Sequence, residues 1–185
     1  MIRTLLTALV LAVPAAALAA PPHRIVVPWT DTRPKPRGEA LLRSTMMKAH
    51  NDARRAYGVA PLLWDAALAA DAGAYAQTMA RTRTFRHDPN PNRRRTQGEN
   101  IWMGTRSGFS YATMIGQMID ERRHFRPGQF PNVSRTGRWS DVGHYTQVVW
   151  PTTTHLGCAT ASNATDDYLV CRYSPRGNVD GVVMR

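Results

Sequence analysis

Cysteine, lysine and acidic residues are all scarce in this sequence. Of 185 residues only two are cysteine, Cys158 and Cys171, and no CxxC spacing occurs, which excludes a paired-cysteine zinc knuckle and a thioredoxin-like redox motif. Lysine stands only at Lys35 and Lys48, acids number 13 against 24 Lys and Arg, and the formal net charge is +11. Such an arginine surplus keeps an exported protein soluble and also suits an acidic partner. There is no GxSxG, no HExxH and no glycine-rich phosphate loop, so the common serine-hydrolase, zincin and P-loop chemistries lose their support. No apolar run reaches the ~18 residues of a membrane span. What is present is 43% hydrophobic residues with five Trp and six Tyr, enough for one folded domain with short flanking segments.

Residues 1–19 place Arg3 before an apolar run from Leu5 to Val13, then Pro14 and small residues ending Ala17-Leu18-Ala19. This reads as a cleaved signal peptide and implies a secreted protein, extracellular or periplasmic. Residues 20–38 carry Pro21, Pro22, Pro28, Pro34 and Pro36 among basic residues, a leader that blocks helix and central strand alike. Export gives the two cysteines their meaning, because thiols outside the cytosol oxidise. Cys158 in GCATA and Cys171 in YLVCRY are expected to bridge two strands across the SNATDD turn.

The domain proper runs over 39–185. Leu41, Leu42, Thr45, Met46 and Ala49 recur at helical spacing toward Tyr57, where Gly58 supplies a stop. A second helix begins at Asp65, which caps it, and carries Leu68, Ala72, Tyr75, Ala76 and Met79 on one face. From Arg81 to Gln97 the periodicity vanishes and a surface loop is expected, with Arg93, Arg94 and Arg95 solvated. A third helix is predicted over Tyr111–Phe125. After it the period changes to two: His144, Thr146, Val148 and Trp150 alternate with their neighbours, which predicts a strand, and Tyr168–Tyr173 predicts another. Helices followed by strands indicate an α+β fold with helices on a small antiparallel sheet.

Six phrases carry more than periodicity: HNDAR from His50, GVAPLLWD from Gly58, GENIW from Gly98, GHYTQVVW from Gly143, LGCATA from Leu156 and CRYSPRGN from Cys171. In order and spacing they resemble the CAP superfamily of cysteine-rich secretory proteins, antigen 5 and plant pathogenesis-related proteins. The single disulfide and the arginine-rich composition suggest a bacterial member, so the sequons at Asn132 and Asn163 are set aside. The resemblance implies a three-layer α-β-α sandwich with a central antiparallel sheet, and an open cleft where two histidines and two glutamates converge. The matching positions are His87, Glu99, Glu121 and His144, with Tyr145 at the cleft edge; Asp120 and His124 are the competing candidates near Glu121. It also implies lipid, sterol or cell-surface and envelope partners, without choosing among them.

Two imidazoles and two carboxylates form a nitrogen and oxygen set that suits zinc or another divalent cation, although no cofactor is required. The same four groups could instead tie loops together by hydrogen bonds in a hydrated polar pocket without turnover. Three readings therefore stand. One is a secreted binding module, a monomer with no specific nucleic-acid partner. Another is a metal-dependent hydrolase with Glu99 or Glu121 as base, and the third a basic module for anionic envelope surfaces. Asn51, Arg54, Gln147 and Asn178 are expected to be structural, binding backbone groups, and Trp64, Trp102 and Trp150 to be core or half-buried aromatics.

Overall fold

The computed structural model describes residues 33–185, so the expected signal peptide and most of the expected leader lie outside the described residues. Helix α1 (Glu39–Tyr57) ends at Gly58, whose φ of 89° lets its N–H turn back onto the carbonyls of Arg54 and Arg55. The two-residue strand β1 (Leu63–Trp64) leads into α2 (Ala66–Thr82), where the Asp65 carboxylate accepts from the amides of Ala67 and Leu68. A short helix α3 (Pro91–Thr96) precedes strand β2 (Gly98–Thr105) and helix α4 (Tyr111–Asp120). Beyond these lie β3 (Gly128–Gln129), α5 (Gly143–Val148), β4 (His155–Ser162), β5 (Asp166–Ser174) and β6 (Val183–Met184).

The main sheet has strand order β1-β4-β5-β2. Its three long strands are antiparallel, as expected, while β1 runs parallel to β4. The sheet is thus mixed, because the chain leaving α1 must cross to the far edge before α2 begins. Alternation sorts the strand residues onto two faces. Trp102, Cys158, Leu169, Cys171 and Tyr173 pack with Met46 of α1 and Met114 and Ile115 of α4. Ile101, Tyr168 and Val170 pack with Ala72, Ala76 and Met79 of α2. Helices therefore cover both faces, the α-β-α sandwich that the resemblance implies. Close approach of α2 to β4 is bought at Gly157, where an added Cβ would fall on the backbone of Leu68 and Ala69.

Cys158 and Cys171 stand opposite one another in the β4–β5 ladder and form the disulfide. Four sequence expectations need correction. The segment from His144 is the helix α5, not a strand, since every residue from Tyr145 to Trp150 is buried and an apolar run enclosed on all sides carries no usable period. The third helix stops at Asp120 and tightens into a 3₁₀ turn over Glu121–His124. Within the expected loop, Asn90 caps α3 through its side chain with Pro91 in the first turn. Strand β2, which holds GENIW, was not anticipated between helices. The leader also ends bound: Arg37 donates to buried Asp167 at 2.7 Å and lies over the Tyr111 ring.

Candidate functional site

The site is organised by edge strand β2, whose consecutive residues Glu99 and Asn100 point to opposite faces of the sheet. Glu99 faces the α2 side with Ile101, opposite Arg172 in the β5 register. Its Oε1 accepts from His87 Nδ1 at 2.6 Å and from the Asp88 amide at 3.1 Å. Arg172 Nη1 lies 3.0 Å from Glu99 Oε2, an ion pair without hydrogen-bond alignment, and Arg172 Nη2 donates to Asp88 Oδ2 at 2.7 Å. Arg172 is only 1% exposed. Its guanidinium also lies 5.4 Å from the Tyr75 ring centre. A buried cation of this kind is tolerated because two carboxylates and an aromatic face replace its water.

On the other side, Glu121 follows α4 and reaches the start of α5. Its Oε1 accepts from His144 Nδ1 at 2.6 Å, and its Oε2 from the amides of His144 at 2.9 Å and Tyr145 at 3.1 Å. These amides open a helix and have no partner within it, so the carboxylate caps α5 while it orients the ring. Asn100 Nδ2 donates to the His144 carbonyl at 3.1 Å, tying α5 to β2. The four residues named by the resemblance therefore form two histidine–glutamate pairs, one built on Glu99 of β2 and the other tied to β2 through the neighbouring residue Asn100. Among the described residues no three His, Cys, Asp or Glu side chains form a group that could hold a metal ion. Each carboxylate is occupied by an Nδ1–H, so each imidazole keeps Nε2 as its lone-pair nitrogen. His87 is 59% exposed and His144 34%. Of the competing candidates, Asp120 is exposed and His124 Nε2 lies 3.1 Å from Arg123 Nε.

Tyr145 is buried at 8% exposure and packs edge-on against Tyr57 and Phe125. Arg54 spreads its guanidinium over the carbonyls of Ala60, Val148, Trp150 and Thr153 at 2.6–3.0 Å. Burial lowers its pKa to about 10. Asn51 makes a two-way bond with the Leu62 backbone. Asn178 bridges the Thr146 hydroxyl and the Gly143 carbonyl, and Gln147 accepts from the Gly177 amide. Arg54, Gln147 and Asn178 fasten loops around α5, Asn51 fastens the segment before β1 to α1, and none of the four bonds to either imidazole among the described residues.

The model of the cysteine-rich secretory protein family, CAP, matches residues 47–173. The chain belongs to the CAP family. It is 34% identical over 134 residues to the PR-1 type pathogenesis-related protein of Sambucus nigra, covering 72% of this chain and 75% of that one. Pathogenesis-related protein 1 of Arabidopsis thaliana is 32% identical over 133 residues, 71% of this chain and 75% of the relative. Among solved structures, NaASP2 with Zn2+ has a TM-score of 0.64 at 26% identity, covering 79% of this chain and 85% of that one. BmVAL-1, at 20% identity and a TM-score of 0.65 over 80% of this chain and 83% of that chain, shows the fold alone.

Three members of this CAP site were not singled out by sequence reasoning: Arg172, Asn100 and Asp88. A signal for the first was available. Arg172 is the one charge inside the apolar run from Tyr168 to Tyr173, and a cation within a two-sided buried strand must have a carboxylate partner. Arg93, expected to be solvated, instead turns inward to ion-pair with Asp71 and, at 3.7 Å, with Asp88. That guanidinium holds the Asp71 carboxyl below its ordinary range.

Proposed function

We propose that this CAP domain is a secreted binding module in which His87 and His144 are two separate arms, each offering Nε2 to a divalent cation. The observation that carries this reading is the pairing of both Nδ1 atoms with carboxylates at 2.6 Å. Such pairing fixes the tautomer, raises the basicity of the other nitrogen and is the usual outer-shell support of a metal-ligating histidine. Glu99 and Glu121 then act as orienting groups, not ligands. Two imidazoles are fewer than the three or four protein ligands of a tight zinc site, so binding is expected to be weak and the remaining positions open. A bound cation would supply Lewis acidity and an anchor for an oxygen atom of a ligand. Neither glutamate is free to serve as a general base, which favours binding over hydrolysis. The solved CAP structure NaASP2, named with Zn2+, supports the same reading.

Calorimetric titration with Zn2+ tests it. Binding should be lost in the double variant His87→Ala, His144→Ala and should weaken as pH falls, because imidazole must be neutral to ligate. Binding that survives both replacements, or no binding by the native protein, overturns the cation reading.

Two other contacts of this domain are supported by separate observations. A cavity of about 480 Å³ is lined by Tyr57, Ile119, Phe125 and Tyr145 together with Arg122 and Arg135, which suits a ligand with an apolar body and an acidic head, such as a lipid. Among the described residues Arg94 and Arg95, exposed on α3, have no carboxylate partner, unlike Arg93, and they support contact with an anionic envelope surface.

A further inference from the structure

His50 belongs to the HNDAR phrase of α1 and is wholly buried, yet it takes no part in the two histidine–glutamate pairs. Its hydrogen bonds lead to one of them. Nδ1 lies 2.8 Å from the Met46 carbonyl, which can only accept, so Nδ1 carries the hydrogen. Burial, with Arg54 nearby, lowers the ring's pKa to about 4, so at neutral pH Nε2 is a bare acceptor. It faces the Tyr173 hydroxyl at 2.8 Å, which must therefore donate. Burial raises the Tyr173 pKa, keeping that proton in place. The Tyr173 oxygen is left to accept, and Asn100 Nδ2 donates to it at 3.1 Å. The same Nδ2 gives its second hydrogen to the carbonyl of His144 at 3.1 Å. Every proton in this chain has one place, and the direction is set from the α1 end.

From this network we infer that His50 is a positioning residue for the His144 side of the cleft, acting through Tyr173 and Asn100. The inference rests on the reading of His144 as a ligand-bearing arm. Without an acceptor at position 50, the buried Tyr173 hydroxyl would turn to the only other partner in the chain, the Asn100 side chain. Asn100 would then present its oxygen to Tyr173 or to the His144 carbonyl, in the second case a repulsive contact between two acceptors. The His144 backbone shifts, and with it the amide that Glu121 holds. His87 depends on Glu99, Asp88 and Arg172, on the opposite face of the sheet, and is untouched.

His87 therefore serves as an internal control for the experiment. Imidazole nitrogen and carbon resonances of His87 and His144 would be compared in the native chain and in His50→Phe, at one neutral pH. The expected result is a shift of the His144 ring resonances and of the His144 and Tyr145 amides, with those of His87 unmoved. His50→Gln, whose side-chain oxygen can accept from Tyr173, should return them toward the native positions. Zn2+ affinity should fall on the order of tenfold in His50→Phe and recover in His50→Gln. Unmoved His144 resonances, or equal movement of both histidines, would overturn the inference. If His50→Phe does not fold, Tyr173→Phe makes the same demand: His144 must move and His87 must not. The resonance readout needs no metal, so a native protein that binds no Zn2+ would sink the cation reading while leaving this test intact.

Discussion

His87 and His144 each donate a hydrogen bond to a glutamate at 2.6 Å, but the two glutamates are held by different physics. Glu99 accepts from one amide, that of Asp88, but is held chiefly by a charge, the buried guanidinium of Arg172, which it shares with the Asp88 carboxylate. Glu121 is held by dipoles, the amides of His144 and Tyr145 at the start of α5. The His87 side is a loop pinned by side-chain ion pairs; the His144 side is backbone, locked further by Arg54 on the carbonyls of Val148 and Trp150. Ion pairs in a low-dielectric interior are all-or-none: with both partners they are tolerated, and with one removed the survivor is stranded. Helix-end amides are more forgiving, since water can replace the lost acceptor.

Removing the support on each side turns this contrast into numbers. Arg172→Met leaves Glu99 and Asp88 without their buried partner, and a loss of about 3–5 kcal/mol is expected. Glu121→Gln keeps shape but removes the charge from three hydrogen bonds, and a loss of about 1.5–3 kcal/mol is expected. Chemical denaturation followed by tryptophan fluorescence measures both. Equal losses would erase the distinction between the two sides. In the resonance experiment, Arg172→Met should move His87 and leave His144, the mirror image of the His50 variants.

The same contrast explains what could be read from the sequence. Helices α1 and α2 were legible because each buries one face against the sheet and ends at a residue with a definite local role, Gly58 and Asp65. The disulfide was legible because two cysteines in a chain read as exported have few alternatives. Helix α5 was not, since its burial on all sides hides the 3.6 period. Of the site, the four histidine and glutamate positions came from the resemblance of phrases rather than from any local pattern. Their sorting into two pairs did not, because it depends on which face of β2 each residue meets, and β2 itself was missed. Arg93 shows the limit of charge runs: three adjacent arginines read alike, yet only the first finds Asp71 and Asp88 within reach.

Acid should separate the two sides further. His50 has a folded pKa of about 4 against an ordinary 6.5, so between those values the unfolded chain binds a proton that the folded one refuses. Stability is therefore complete above about pH 6.5 and falls as pH drops toward 4. The expected loss is about 3–4 kcal/mol, from ~1.4 kcal/mol per pH unit across the window. In His50→Gln this slope should disappear. A native-like slope in that variant would assign the acid sensitivity elsewhere. The His144 amide resonances should broaden or shift before those of His87 as the window is entered, because His50 backs only that side.

The smallest effect expected concerns the surface beside His87. Arg94 and Arg95 are exposed and face no carboxylate among the described residues, whereas Arg93 is tied to Asp71 and Asp88. Near an anionic surface each exposed arginine contributes on the order of 1 kcal/mol, so Arg94→Ser with Arg95→Ser should weaken binding to anionic vesicles up to about thirtyfold in the additive limit. The difference should vanish as salt shortens the Debye length, and the melting temperature should stay at the native value. Arg93→Ser should behave in the opposite way, lowering the melting temperature by releasing two carboxylates while changing vesicle binding little. Flotation of the protein with vesicles of mixed neutral and anionic lipid, at low and at physiological salt, measures the first; thermal unfolding measures the second. Unchanged flotation of the double variant at low salt would remove α3 as a contact surface. A loss of flotation in Arg93→Ser equal to that in the double variant would mean that its ion pairs open when the surface is met, and the division of the arginine run into one inward and two outward members would fail.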